Sequence, residues 1–146
     1  MKGLIQRVTQ ARVEIQGECV GEIQQGLLLL LGIERDDTQE SADKLLHKIL
    51  NYRVFPDQAQ RMNLSLAHTG FGLLIVSQFT LVAETDRGLR PGFSKGASPE
   101  QGEALYNYFR QQAQALHSPV ASGRFGADMQ VHLINDGPVT FLLQSA

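Results

Sequence analysis

Ser77, Gln78 and Thr80 place two hydroxyls and a carboxamide at the end of the apolar run Gly72-Leu73-Leu74-Ile75-Val76. A short run of branched residues without polar alternation reads as a strand buried on both faces. Unpaired polar groups at the end of such a strand cost about 1–3 kcal/mol each, so either the fold or a ligand must hydrogen-bond them. A second group of polar residues, Asn135-Asp136-Gly137-Pro138-Val139-Thr140, lies between two further strand candidates, where a Gly-Pro pair reads first as a turn.

Other chemistries leave no trace. The chain has no G-x-S-x-G elbow, no G-x-x-x-x-G-K phosphate loop and no G-x-G-x-x-G between a strand and a helix. His47, His68, His117 and His132 have no metal-ligand spacing to one another or to Cys19, so neither a metal nor a cofactor is expected. An enzyme built on these residues lacks the usual base for activating a nucleophile.

The elements that must position these groups can be read in order. Loose alternation predicts two strands over residues 2–9 and 12–16, and a tight turn at Gly17-Glu18 leads to a third over Cys19–Ile23. Leu27–Ile33 predicts another buried strand. Asp37-Thr38-Gln39-Glu40 has the form of a capping box with Asp37 as cap. Ala42, Leu45, Leu46, Ile49 and Leu50 then give the apolar stripe of a first helix. Residues 57–70 read as a loop with at most a short strand. Ser98-Pro99 opens a second helix, whose stripe is read as Ala104, Leu105, Tyr108, Phe109, Ala113 and Leu116. Three short strands are predicted over 120–125, 129–134 and 139–143.

Hydrophobic residues make up 42% of the 146 and charged residues 19%, which suits one globular domain, residues 1–146. A lone cysteine and no basic-then-apolar leader at Met1-Lys2-Gly3 lead to the expectation of a cytoplasmic protein, and no apolar run reaches membrane-spanning length. A net charge of -2 excludes a global basic field, so any nucleic-acid contact has to be local. The candidate is the loop Arg87-Gly88-Leu89-Arg90-Pro91-Gly92-Phe93-Ser94-Lys95, with Glu84 and Asp86 beside it; charge alone equally allows an ordinary solvated loop.

Taken together, Ser77-Gln78-Phe79-Thr80-Leu81 and Asn135-Asp136-Gly137-Pro138-Val139-Thr140 resemble the paired signatures of the D-aminoacyl-tRNA deacylases. The likeness covers the whole chain, with Met1–Val8, Arg90-Pro91-Gly92-Phe93 and Gly123-Arg124-Phe125-Gly126-Ala127 in the expected order. Asp136 and Gly92 stand at positions that vary in the family. The resemblance implies a homodimer that frees a D-amino acid, or glycine, from the 3′ end of tRNA by ester hydrolysis. It implies that Gly137 and Pro138 form a cis dipeptide whose carbonyls enter the partner subunit's site and occupy the space an L side chain would need, with Arg7 bracing them. Ser77, Gln78 and Thr80 are then the candidate catalytic residues, Ser77 and Phe79 shape the pocket, and Gln78 with the backbone amides near Phe79 and Thr80 are the candidates for substrate positioning and oxyanion donation. Without a base beside Thr80, the resemblance favours assistance from the ribose 2′-hydroxyl. Arg87, Arg90 and Lys95 are the candidate tRNA contacts.

The fold expected is α+β: two packed, mostly antiparallel β layers with two amphipathic helices on one side, paired as a symmetric dimer. Two other functions remain open at this point. One is an editing hydrolase without chiral preference; the other is a tRNA-binding module without turnover, in which Ser77, Gln78 and Thr80 only hold a strand end.

Overall fold

The computed structural model describes residues 1–145. Strand β1 (Lys2–Ile15) pairs antiparallel with three others. β2 (Glu18–Ile23) flanks its Ala11–Ile15 half and β3 (Gly26–Gly32) its Lys2–Val8 half, while the last strand, β8 (Gln130–Gln144), runs along its other edge. Two separate strands are predicted for residues 2–16; a single one forms because β8 offers a partner across both halves. β3 then pairs in parallel with β6 (Gly72–Ser77), and β6 in parallel with β7 (Val120–Ser122).

The α+β class is as expected, and most strand pairings are antiparallel, but the strands that pack as layers are parts of a single mixed sheet. These six strands belong to one mixed sheet, ordered β2-β1-β3-β6-β7 with β8 beside β1. The layering arises because that sheet folds across itself. Register between β1 and β8 slips on both sides of Val8, and beyond that bend Val8, Ala11, Val13 and Ile23 pack onto Leu28, Leu74 and Val76. The opposite face of the central strands, with Ile5, Leu27, Leu29, Leu73 and Ile75, carries the helices. The unbroken leucine and valine runs of β3 and β6 are thus explained, since both faces are covered.

Helix α1 (Gln39–Asn51) buries the predicted stripe Ala42, Leu45, Leu46, Ile49 and Leu50. Its cap is Thr38, paired with Ser41, and not Asp37. Asp37 is engaged elsewhere: its carboxylate accepts from the Met1 ammonium at 2.6 Å and from the Glu34 N–H at 2.7 Å. The stretch 57–70 holds the one short strand allowed there, β5 (Met62–Leu64), paired with β4 (Phe55–Pro56) just before it, and also a helix that is not predicted, α2 (Leu66–Thr69). Ser65 and His68 cap α2 reciprocally, a signal hidden by the polar composition around it. Helix α3 (Pro99–Leu116) starts at the predicted Ser98 cap, but its buried stripe is Gly102, Leu105, Tyr106, Phe109 and Ala113. Tyr106 and not Tyr108 faces inward, because the Tyr106 hydroxyl finds backbone acceptors in the core.

Candidate active site

Leucine-rich β3 fixes the end of β6, because Ser77 stands opposite Leu31 and the Gln78 N–H still donates to the Leu31 carbonyl at 2.8 Å. One residue later the chain leaves the sheet in a 3₁₀ turn, Phe79–Val82, anchored by buried Val82. The turn points the polar groups into a cleft of about 550 Å³ that Ser77, Gln78, Phe79 and Thr80 line together. Gln78 Nε2 donates to Thr80 Oγ1 at 2.6 Å. The Phe79 and Thr80 N–H groups open the turn and have no acceptor among the described residues.

The facing wall is Phe125, Gly126, Ala127 and Met129. Residues 120–125 are predicted as strand, but β7 stops at Ser122 and the chain is then free to cross the cleft. Two bonds set that departure: the Gly123 N–H donates to the Ile75 carbonyl at 2.9 Å, and the buried Tyr106 hydroxyl donates to the Gly123 carbonyl at 2.8 Å. Burial pushes the Tyr106 phenol up to about 12, against smaller opposing effects from Ser122 and Arg110, so it stays a donor. Gly102 permits the close approach of α3 to this wall, since a Cβ there would lie 3.1 Å from Phe125 Cζ. Phe125, Met129 and Gly102 were not among the sequence candidates. Gly123–Ala127 carried family resemblance, but only the end of β7 shows that this segment faces Thr80.

The Gly-Pro segment lies elsewhere on the sheet. Asn135 pairs with Val8 and Thr140 with Gln6, so Asp136–Val139 bulge out opposite the single residue Arg7. β8 is therefore continuous as a strand across a segment predicted to separate two. The Gly137-Pro138 bond is cis, and both residues are exposed. Arg7 holds the bulge from beneath: Nε donates to the Asp136 carbonyl at 2.9 Å and Nη1 to the Val54 carbonyl at 2.7 Å. Asn135 closes it from within, accepting from the Val139 N–H at 2.7 Å and donating to Thr140 Oγ1 at 2.9 Å. Gly137 has φ of 140°, a conformation that side chains resist.

Sequence candidates thus form two groups. Ser77, Gln78, Phe79 and Thr80 converge; Arg7, Gly137 and Pro138 converge separately. Arg7 is level with Leu27 and Leu73, and Ser77 is level with Leu31, so the groups lie about 13 Å apart along the strands and roughly three strand spacings, about 14 Å, across the sheet. Arg87, Arg90 and Lys95 are exposed and none forms an ion pair with another described residue. Their loop reaches the cleft through Phe93, which stacks on Phe79 with ring centroids 4.7 Å apart.

A hydroxyl, a carboxamide and free backbone N–H groups line this open cleft, a set that can hold a bound group by hydrogen bonds. Among the described residues no three His, Cys, Asp or Glu side chains are placed to share a metal ion, and no helix is long and apolar enough to cross a membrane. The family model for D-Tyr-tRNA(Tyr) deacylase matches residues 4–144, and the chain belongs to that family. It is 66% identical over 145 residues to D-aminoacyl-tRNA deacylases of Pseudomonas fluorescens (strain Pf0-1) and Stutzerimonas stutzeri (strain A1501), covering 99% of this chain and 100% of each relative. Among solved structures, the c-Myc DNA unwinding element binding protein is 41% identical, with a TM-score of 0.95 over 100% of this chain and 99% of that one. A probable eukaryotic D-amino acid tRNA deacylase shares the fold at 16% identity, with a TM-score of 0.86 over 97% of both chains.

Proposed function

We propose that this protein is a single-domain, cytoplasmic D-aminoacyl-tRNA deacylase that acts as a homodimer, each subunit lending its Gly137-Pro138 bulge to the other's cleft. The observation that carries the reading is the separation of a braced, exposed bulge from the cleft of its own chain. A selector built so firmly, and so far from its own site, suits delivery to a second copy.

The chirality argument is steric. An enzyme that accepts many D side chains cannot read the side chain; it has to crowd the one direction at Cα that differs between enantiomers. Backbone carbonyls of a rigid bulge can do so, with Arg7 and Asn135 holding them in place. Glycine has no Cβ in either direction, so this selector cannot refuse a glycyl ester.

In the chemical step water adds to the ester carbonyl, the bond to the ribose oxygen breaks and that oxygen takes up a proton. Charge builds on the carbonyl oxygen, and Thr80 Oγ1 with the Phe79 and Thr80 N–H groups are its donors. Thr80 makes a poor nucleophile because its hydroxyl's one side-chain partner among the described residues is the Gln78 carboxamide, which cannot take a proton. Proton transfer therefore falls to the substrate, whose ribose 2′-hydroxyl lies next to the ester. Gln78 orients Thr80, and Ser77 and Phe79 bound the pocket.

Release of amino acid from matched D-tyrosyl- and L-tyrosyl-tRNA tests the reading. Fast loss of the D ester with the L ester spared is expected. Equal loss of both would point to an editing hydrolase without chiral preference. No loss of either, with Thr80→Ala changing only stability, would leave a binding module.

A further inference from the structure

We infer that the stacked pair Phe79–Phe93 is a platform for an unpaired RNA base, that of the nucleotide preceding the one that bears the ester; this rests on the function proposed above. Phe79 is 55% exposed and Phe93 38%, and their planes are 24° apart. Large aromatic faces left open to solvent contribute nothing to the core. Phe79 lines the cleft beside Gln78 and Thr80, whereas Phe93, stacked on it, does not line the cleft. A strand leaving the cleft by this side passes Phe79 first and Phe93 next.

Charge and rigidity agree with that occupant. Phe93 sits between Arg90 and Lys95 on a loop that also carries Arg87, all three without an ion pair to a described residue, although Glu84 and Asp86 lie nearby in the same loop. With a net charge of -2, the chain needs such a local site to hold phosphates. The loop is pinned at both ends, by the Glu84–Gly92 bridge and by the Gly96–Glu34 bridge, so the platform is already formed. An aromatic face stacks on any base, which gives affinity without sequence preference and suits an end shared by many tRNAs.

The test compares kcat/KM for D-tyrosyl-tRNA with that for D-tyrosyl-adenosine, which has no preceding nucleotide. Phe93→Ala is expected to lower the ratio of the two by about 5- to 150-fold, and Phe93→Tyr to restore it. The chain has no tryptophan, so Phe93→Trp supplies a single indole that can be excited apart from the three tyrosines. Its fluorescence should be quenched by the trinucleotide CpCpA at concentrations where adenosine has no effect. An unchanged ratio, an equal fall for both esters, or a shift of Phe93→Ala to a smaller sedimenting species would each overturn the inference, the last because a second copy would then be what covers the pair. If the wild type cleaved neither ester, the proposed activity would fall on its own, and CpCpA quenching would still decide whether the platform exists.

Discussion

Replacing Arg7 by Lys keeps the charge and removes the fork. Arg7 bridges two carbonyls far apart in sequence, Asp136 at 2.9 Å and Val54 at 2.7 Å, from different nitrogens of one planar group. A lysine ammonium is one point and cannot serve both. One charge-assisted bond is lost, worth about 1.5–3 kcal/mol, and the side chain is only 13% exposed, so water replaces little of it. Urea unfolding should show a loss of about that size with an unchanged m-value. If the freed carbonyl belongs to Asp136, the bulge gains freedom and the L ester gains access. A selector loosened by about 1.4 kcal/mol admits roughly ten times more of the wrong substrate. The measurement is the ratio of hydrolysis rates on D- and L-tyrosyl-tRNA, expected to fall about tenfold or more. If Arg7→Lys lost the predicted stability but kept the full ratio, and Arg7→Ala, which frees both carbonyls, kept it too, the reasoning would be refuted, because bulge position would then not depend on Arg7.

Gly137→Ala places a Cβ 2.7 Å from Val139 Cγ2 and 3.0 Å from the Val139 nitrogen, at a φ of 140°. A cost of about 1–3 kcal/mol in thermal or urea unfolding is expected, together with a lower D-to-L ratio. Tyr106→Phe leaves the buried Gly123 carbonyl without its phenol donor, which should cost about 1–3 kcal/mol near neutral pH. The Tyr106 pKa is raised in the fold from 10.0 to about 12, so the neutral phenol's contribution is complete below pH 10 and disappears as pH rises through 12. The stability gap between wild type and Tyr106→Phe should close over that window. Asn135→Asp keeps the acceptor for the Val139 N–H, whereas Asn135→Ala loses it; the D-to-L ratio should therefore fall further in the alanine variant.

Periodicity was enough to find α1 and the start of α3, because apolar spacing and a side-chain cap are local properties of the chain. It misplaced the buried face of α3, since the choice of Tyr106 over Tyr108 depends on carbonyls supplied by β6 and by Gly123. Asp37 looked like a cap for a similar reason: its carboxylate goes to the ammonium of Met1, 36 residues away in sequence. The polar group at the cleft was legible because Ser77, Gln78 and Thr80 are neighbours in sequence. Phe125 and Met129 could not be paired with them, since the parallel β6–β7 register that brings the two segments together is a long-range property. For the bulge, residue types marked a departure from strand geometry, but not that β8 would resume its pairing with β1 after it.

That resumption matters for the assembly proposed here. Among the described residues β8 pairs with β1 alone, so its other edge has no strand beside it over 15 residues that also expose Ile134, Phe141 and Leu142. An uninterrupted open edge of that length invites any strand to add to it, and the sheet would grow without limit. The bulge at Asp136–Val139 breaks the ladder near its middle and projects a fixed shape that an extended strand cannot match. A surface with a cavity for Gly137 and Pro138 can still come close, and in the dimer proposed above the cleft at Thr80 is that cavity. One feature therefore has two effects: it blocks indiscriminate edge pairing, and in the proposed dimer it makes the selective contact part of the active site. A monomeric variant should accordingly lose its preference between enantiomers as well as its partner.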